Sequence, residues 1–181
     1  AFHGGLEQNK REVALARFRN KSASILVSTD LAARGLDIPE LNHVIHYDLP
    51  DKEASFVHRC GRTARVARNG NVYIIPKENQ QPDYTPDSTE FSTLPRSTKR
   101  SPSAWSTFYI SGGKKNKINK IDLVGFFIKV GRLNKDDVGL IEVKDFASYV
   151  AIRRDKIEQV HALCSNQKIK KQKHVIEIAR F

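Results

Sequence analysis

Hydrophobic and polar positions form two kinds of pattern along the first half of the chain. Apolar residues at helical spacing predict helices over residues 8–20 and 52–65, and short apolar runs predict strands over 23–28, 43–48 and 71–75. Short apolar strands that alternate with amphipathic helices are typical of a parallel βαβ arrangement. The first half is therefore predicted to be part of an α/β domain with a parallel sheet.

The second half has a different order of elements, β-α-β-β-α-β, which is that of the RRM-like fold. Ile121, Val124 and Ile128 recur at helical spacing and predict the core face of its first helix. Asp155 and Glu158 form a capping-box-like pair that predicts the start of the second helix. The predicted strands cover residues 107–111, 139–144, 148–153 and 174–179, and the first helix covers 120–130.

A segment rich in proline, serine and threonine separates the two halves, and a segment of this composition cannot bury a core. The predicted organisation is an α/β lobe over residues 1–78, a linker over 79–105 and an α+β domain over 106–181. Because the chain contains no methionine and opens inside a predicted strand, we expect the first lobe to be truncated at its N-terminal side.

Positive charge is concentrated in the second half. Residues 96–181 carry 19 basic and 8 acidic side chains, whereas residues 1–95 carry 12 of each. Any single lysine is compatible with a solvated loop, but seven lysines in two predicted loops exceed what solubility requires. They predict contacts with nucleic-acid phosphates. These residues are Lys114, Lys115 and Lys117 after the first strand, and Lys168, Lys170, Lys171 and Lys173 before the last strand.

Two tyrosines are candidates for contact with bases. Strand alternation places Phe108 and Ile110 in the core and Tyr109 and Tyr149 on the opposite face of the sheet. Exposed aromatic side chains on that face stack bases in many RRM domains. The alternative is ordinary packing on the sheet face, and the sequence leaves both interpretations open.

The segment HRCGRTAR, residues 58–65, carries arginines at every third position. On a helix, Arg59, Arg62 and Arg65 would form a row along one face, and the planar guanidinium fork matches phosphate oxygens. An ordinary basic surface helix is the alternative interpretation. A second polar segment, STDLAARGLDI at residues 28–38, follows an apolar run, and ligands of open α/β sheets bind at the carboxyl ends of strands.

These segments resemble motifs V and VI of the second RecA-like lobe of DEAD-box RNA helicases, and residues 8–11 fit the QxxR motif of the same lobe. Residues 106–179 resemble the C-terminal RNA-binding domain of the bacterial DbpA subgroup. The resemblance implies an α/β fold: an incomplete RecA-like parallel-sheet lobe followed by a small α+β RRM-like domain. It also implies an ATP-dependent RNA helicase.

The resemblance implies roles for individual residues at an ATP site. Arg62 matches the arginine finger on the γ-phosphate, Arg65 its neighbour on the triphosphate, and Asp37 the acceptor for the ribose hydroxyls. His58 matches the histidine that contacts carboxylates of the opposite lobe. The residues matched to the RNA site and its support are Gln8, Arg11, Thr29, Arg34 and Gly35. For Thr29, ordinary turn or N-cap chemistry is the alternative.

The sequence contains neither a G-x-x-x-x-G-K-[S/T] phosphate loop nor an Asp-Glu-Ala-Asp string. The ligands of ATP-bound Mg²⁺ are therefore expected from an N-terminal RecA-like lobe of the same protein, and this chain alone is expected to be inactive. The resemblance implies RNA partners, namely a 23S rRNA hairpin and large-subunit precursors. The alternative is a non-catalytic RNA-binding or ribosome-assembly scaffold derived from the family.

Cys60 and Cys164 lie far apart and form no CxxC pair, so no metal site is predicted. The chain contains no signal peptide and no apolar run long enough to span a bilayer. Together with the reduced cysteines, these features predict a cytoplasmic protein without a membrane partner.

Overall fold

The computed structural model describes residues 1–30, 38, 41–63, 70–75, 83–85 and 101–180. The chain forms two compact units, Ala1–Val27 with Pro102–Phe181, and Ser28–Ser101. Within the described part, no helix has the length and apolar character needed to cross a membrane. The helices and strands are α1 (Gln8–Arg19), β1 (His43–His46), α2 (Glu53–Cys60), β2 (Asn71–Ile74), β3 (Trp105–Ile110), α3 (Lys120–Lys129), β4 (Val138–Val143), β5 (Ser148–Arg153), α4 (Ile157–Cys164), β6 (Lys168–Ile169), β7 (Gln172–Lys173) and β8 (Ile176–Ile178).

The larger unit contains a four-stranded antiparallel sheet in the order β4-β5-β3-β8. One face of this sheet carries Phe108, Ile110, Val150 and Ile152, which are fully buried in a core shared with α3 and α4. The element and strand orders are those of the RRM-like fold, so the α+β prediction for the second half is confirmed. Inward and outward residues alternate along β3 as predicted.

Helix α3 begins at a capping box that the sequence analysis missed. The Asn119 side chain accepts a hydrogen bond from the Asp122 amide, and the Asp122 carboxylate accepts one from the Asn119 amide, both at 2.9 Å. The backbone N–H groups of both residues, which have no acceptor within the helix, thereby gain one.

The core face of α3 differs from the predicted one. Leu123, Phe126 and Phe127 are buried, whereas Ile121 is 82% exposed and Val124 is only partly buried. The two phenylalanines bury more apolar area than an isoleucine does, so the orientation of the helix that buries both rings is favoured. The predicted core position of Ile121 is therefore wrong.

Helix α4 starts later than predicted. Residues Arg154–Lys156 form a 3-10 turn, α4 begins at Ile157, and no side chain caps it. Asp155 is therefore not its N-cap. The Arg154 side chain donates a hydrogen bond to the Trp105 carbonyl at 3.0 Å, which fixes this turn against β3. Ile157 and Val160 of α4 are buried in the core.

Helix α1 packs against β3 and β5, on the face of the sheet opposite α3 and α4. Its end is fixed by a buried polar group in which Asn20 donates to the Thr107 hydroxyl at 2.9 Å and Thr107 donates to the Ser22 hydroxyl at 2.8 Å. Arg19 pairs with Glu142 of β4 at 3.1 Å. The sequence did not predict this contact, and the domain boundaries at 78 and 106 stay a prediction.

In the smaller unit, β1 and β2 pair in parallel, from His43 opposite Asn71 to His46 opposite Ile74. The parallel arrangement predicted for the first half is thus present in the described strands. The strand predicted over 23–28 is wrong. That segment makes a single bridge, in which the Phe2 amide donates to the Val27 carbonyl at 2.8 Å. An apolar run becomes a strand only where a neighbour completes its hydrogen bonds.

We expect Phe127→Ala to lower the free energy of unfolding of the RRM-like fold by about 3–5 kcal/mol, because it removes a fully buried ring and leaves a cavity. Urea denaturation followed by circular dichroism measures the change. The control is Ile121→Ala on the same helix, which should change the free energy by no more than about 0.5 kcal/mol. Equal losses in both variants would contradict the observed orientation of α3.

Candidate nucleic-acid interface

The turn after β3 is held against the turn between β4 and β5. The Lys114 amide donates to the Lys144 carbonyl at 2.8 Å, and the Lys115 amide donates to the Asp145 carbonyl at 2.9 Å. A Cβ added at Gly113 would lie 2.1 Å from the Lys144 carbonyl oxygen, so only glycine permits this approach. The contact fixes the backbone of three lysines next to one another.

The β6–β7 hairpin joins the same region through Lys170. Its ammonium donates to the Lys117 carbonyl at 2.9 Å and pairs with the Asp122 carboxylate at 3.1 Å. Ile169 anchors the hairpin in the core. The hydrogen bond from the Asn119 amide, and to a lesser extent the Lys170 contact, lower the pKa of Asp122. Its carboxylate is therefore ionised at neutral pH and can pair with Lys170.

Three lysines of this region adopt left-handed backbone conformations. The φ angles of Lys117, Lys170 and Lys171 are 59°, 48° and 67°. Non-glycine residues rarely take positive φ, since the Cβ then crowds the carbonyl oxygen, and glycine or asparagine adopts it at lower cost. Lysine nevertheless occupies all three positions, and at Lys170 the side chain makes the contacts with Lys117 and Asp122.

Together these turns form a basic surface in which every lysine side chain is exposed. Ammonium groups at fixed backbone positions are suited to sequence-independent contacts with phosphate oxygens. Two of them are also paired with carboxylates, Lys170 with Asp122 at 3.1 Å and Lys144 with Glu142 at 3.5 Å. Seven of its lysines lie in the two loops predicted from the sequence, and Lys144 joins them through the backbone contact at Gly113. The basic surface comprises Lys114, Lys115, Lys117, Lys144, Lys168, Lys170, Lys171 and Lys173.

The tyrosines proposed for base stacking are differently placed. Tyr149 is only 2% exposed, and burial raises the pKa of its hydroxyl well above the usual value. Tyr109 lies opposite Tyr149, with ring centroids 5.9 Å apart, and is partly buried. Because α1 packs against β3 and β5 on this face, the packing interpretation holds for Tyr149, and its ring is not available to a base in this arrangement.

The arginines of the 58–65 segment do not form one helical row in the described part. Helix α2 ends at Cys60, and Arg62 lies in the following turn, where its amide bonds to the Arg59 carbonyl at 3.2 Å. The Arg59 guanidinium pairs with Asp30 at 2.6 Å and donates to the Asp48 carbonyl at 2.8 Å. The predicted shared face is therefore wrong for Arg62, because the helix is shorter than the pattern indicated.

The remaining predicted nucleotide and RNA residues are distributed over both units. His58 is exposed in the last turn of α2, and Thr29 is exposed in the same unit. Gln8 and Arg11 lie on α1 in the other unit, where Gln8 is exposed and donates to Glu12 at 3.3 Å. Four predicted residues lie outside the described residues: Arg34, Gly35, Asp37 and Arg65.

An RRM-like fold with a continuous basic surface is characteristic of RNA-binding domains. Residues 107–178 match the DbpA RNA binding domain family, and residues 1–67 match the family described as helicase conserved C-terminal domain. The first part of the chain therefore matches the helicase C-terminal family and the second part the DbpA RNA-binding family, which confirms the resemblance of its motifs.

Individual relatives agree with these matches. "ATP-dependent RNA helicase DbpA" of Bacillus subtilis is 32% identical over 93% of this chain and 42% of its own length. The protein of the same name from Escherichia coli is 36% identical over 85% of this chain and 35% of its own. "DEAD-box ATP-dependent RNA helicase 53" of Oryza sativa is 51% identical over 44% of this chain and 13% of its own length. The chain thus spans less than half the length of these relatives.

We expect Gly113→Ala to lower the free energy of unfolding by about 1–3 kcal/mol, because the added Cβ separates the two turns and breaks their backbone hydrogen bonds. Urea denaturation measures the loss. Gly125→Ala is a matched control, since no atom lies within 4 Å of its added Cβ and alanine favours the helix by about 0.5–1 kcal/mol. A stabilising Gly113→Ala would contradict the close approach.

Proposed function

We propose that the basic surface binds the sugar-phosphate backbone of a folded RNA and anchors an ATP-dependent helicase to it. One observation supports this most directly: three lysine-containing turns, separate in sequence, are joined by backbone hydrogen bonds and by the Lys170 contact. Ammonium groups on fixed backbones can contact the regularly spaced phosphates of an RNA. Such contacts do not depend on the base sequence.

The proposed RNA is a hairpin of 23S rRNA in precursors of the large ribosomal subunit. The support is the similarity of residues 107–178 to the DbpA RNA binding domain family, together with the RNA-helicase names of the relatives. If the basic surface neutralises roughly five phosphates, log K should fall with log salt at a slope of about −4.5 on duplex RNA, taking the duplex DNA value as a guide. Affinity should then be strongly salt-dependent.

For residues 1–67 we propose one wall of an ATP site and of an RNA groove, completed by an N-terminal RecA-like lobe that would also supply the Mg²⁺ ligands. Arg62 lies in the turn after α2, and its planar guanidinium fork matches the geometry of phosphate oxygens. Hydrolysis of ATP supplies the free energy for RNA unwinding. The Arg62 guanidinium would stabilise negative charge on the transferred phosphoryl group. Arg65, His58 and Asp37 keep the roles expected from the resemblance.

We expect Lys171→Gly to weaken RNA binding and to make the salt slope shallower by about 1, because it removes one phosphate contact. Stability should stay equal or rise by up to about 1 kcal/mol, since glycine adopts the φ of 67° without strain. Fluorescence anisotropy of a labelled RNA hairpin over a salt series and urea denaturation measure the two effects.

The matched control for Lys171→Gly is Arg132→Gly. Arg132 is also basic, exposed and left-handed, with φ of 54°, but it lies between α3 and β4, outside the basic surface. It should show the same change in stability with nearly unchanged RNA affinity. Equal losses of affinity in the two variants would mean that net charge, and not a defined surface, attracts the RNA.

In the complete protein, Arg62→Ala should lower RNA-stimulated ATP turnover by about 10³- to 10⁵-fold, the range typical of arginine fingers. Its affinity for the RNA hairpin should stay nearly unchanged, because the basic surface is intact. Steady-state ATPase assays and anisotropy measure these quantities, with the exposed Lys52→Ala as control. Equal loss of both properties would contradict this division of roles. No turnover in the unaltered complete protein would favour the non-catalytic scaffold.

A further inference from the structure

Phe146 is the exposed aromatic side chain beside the basic surface. It is 70% exposed and lies in the turn between β4 and β5, two residues after Lys144. Among the exposed large hydrophobic side chains in the described part of its unit, it alone is aromatic. Single exposed apolar side chains are common on protein surfaces, so exposure alone does not indicate a function. The relevant feature of Phe146 is its position beside the basic surface.

The backbone around Phe146 is held on both sides. The Lys144 amide donates to the Ala147 carbonyl at 2.8 Å, which closes the turn, and the Ser148 hydroxyl donates to the Gly112 carbonyl at 2.6 Å. The bonds from the Lys114 and Lys115 amides hold the same turn from the other side. The exposed ring is therefore carried by a turn whose backbone is bonded to that of Lys114 and Lys115, and little backbone freedom is lost when a ligand binds.

We propose that Phe146 is a base-stacking residue, whose ring receives an unpaired base of the RNA while the neighbouring lysines hold the adjoining phosphates. This inference rests on the proposed function, since it assumes that RNA reaches the basic surface. An aromatic ring accepts the face of any base and adds affinity without adding charge. The lysines around Phe146 also favour RNA over an apolar protein partner, because an apolar partner would have to desolvate their ammonium groups.

The position of the sheet face strengthens the assignment. Tyr149 is buried on the face of the sheet that contacts α1. The aromatic position at which RRM domains often stack bases is therefore not accessible. Phe146 offers a replacement at the edge of the domain, and it is continuous with the lysines that would position the RNA. A stacking residue there reads single-stranded loops and leaves paired RNA unaffected, because bases within a duplex are already stacked.

The test compares Phe146→Leu and Phe146→Tyr in the complete chain, using one labelled RNA hairpin with an unpaired loop and one fully paired duplex. Leucine keeps apolar bulk but removes the ring, so we expect a loss on the order of 10-fold for the loop RNA and none for the duplex. Tyrosine keeps the ring and should restore the affinity. The salt slope should be the same in all variants, because no charge changes.

Ile121→Ala is the control for lost exposed apolar surface, as Ile121 is exposed on α3, and it should leave both affinities unchanged. Urea denaturation verifies that each variant folds. Salt-dependent binding that Phe146→Leu leaves intact, or weakens equally for loop and duplex RNA, would overturn the stacking assignment while the proposed function stands. Absence of salt-dependent RNA binding in the unaltered chain would instead remove the proposed function, and the stacking assignment with it.

Discussion

The close approach of two backbone turns at Gly113 is the constraint on which the candidate interface depends. With no Cβ at this position, the Lys144 carbonyl comes near enough to accept a hydrogen bond from Lys114, and the next carbonyl accepts one from Lys115. The backbones of these lysines are then fixed before a ligand binds, which lowers the entropy lost on binding. The same contact fixes the turn that carries Phe146, so the proposed phosphate and base contacts share one rigid support.

The two faces of the antiparallel sheet serve different purposes in this arrangement. One face builds the core with α3 and α4, and the other contacts α1. The second contact includes polar groups beside the buried Ala14, Leu15 and Ala16 of α1: a buried hydrogen-bond group links Asn20, Ser22 and Thr107, and Arg19 pairs with Glu142. Buried polar contacts of this kind specify one geometry more than they add stability. The proposed RNA contacts accordingly lie on the turns at the edge of the sheet and not on its face.

Local patterns explain which parts of the fold were predictable. The alternation along β3 and β5 identified the core residues, and loop lysines identified seven of the eight members of the basic surface, since each depends on a short stretch of sequence. The rotation of α3 was missed, because the packing of Phe126 and Phe127 involves distant residues. The end of α2 at Cys60 was missed although the C-cap Gly61 is a local signal for it.

The sequence by itself determined the order of elements, the excess of positive charge and the motif similarities, because these are properties of residue type and spacing. Only the tertiary structure decided that Tyr149 is covered, that Lys144 and Phe146 lie at the basic surface, and that three lysines adopt left-handed backbones. Burial and proximity arise when segments far apart in the chain exclude water between them. No local pattern encodes which segments those will be.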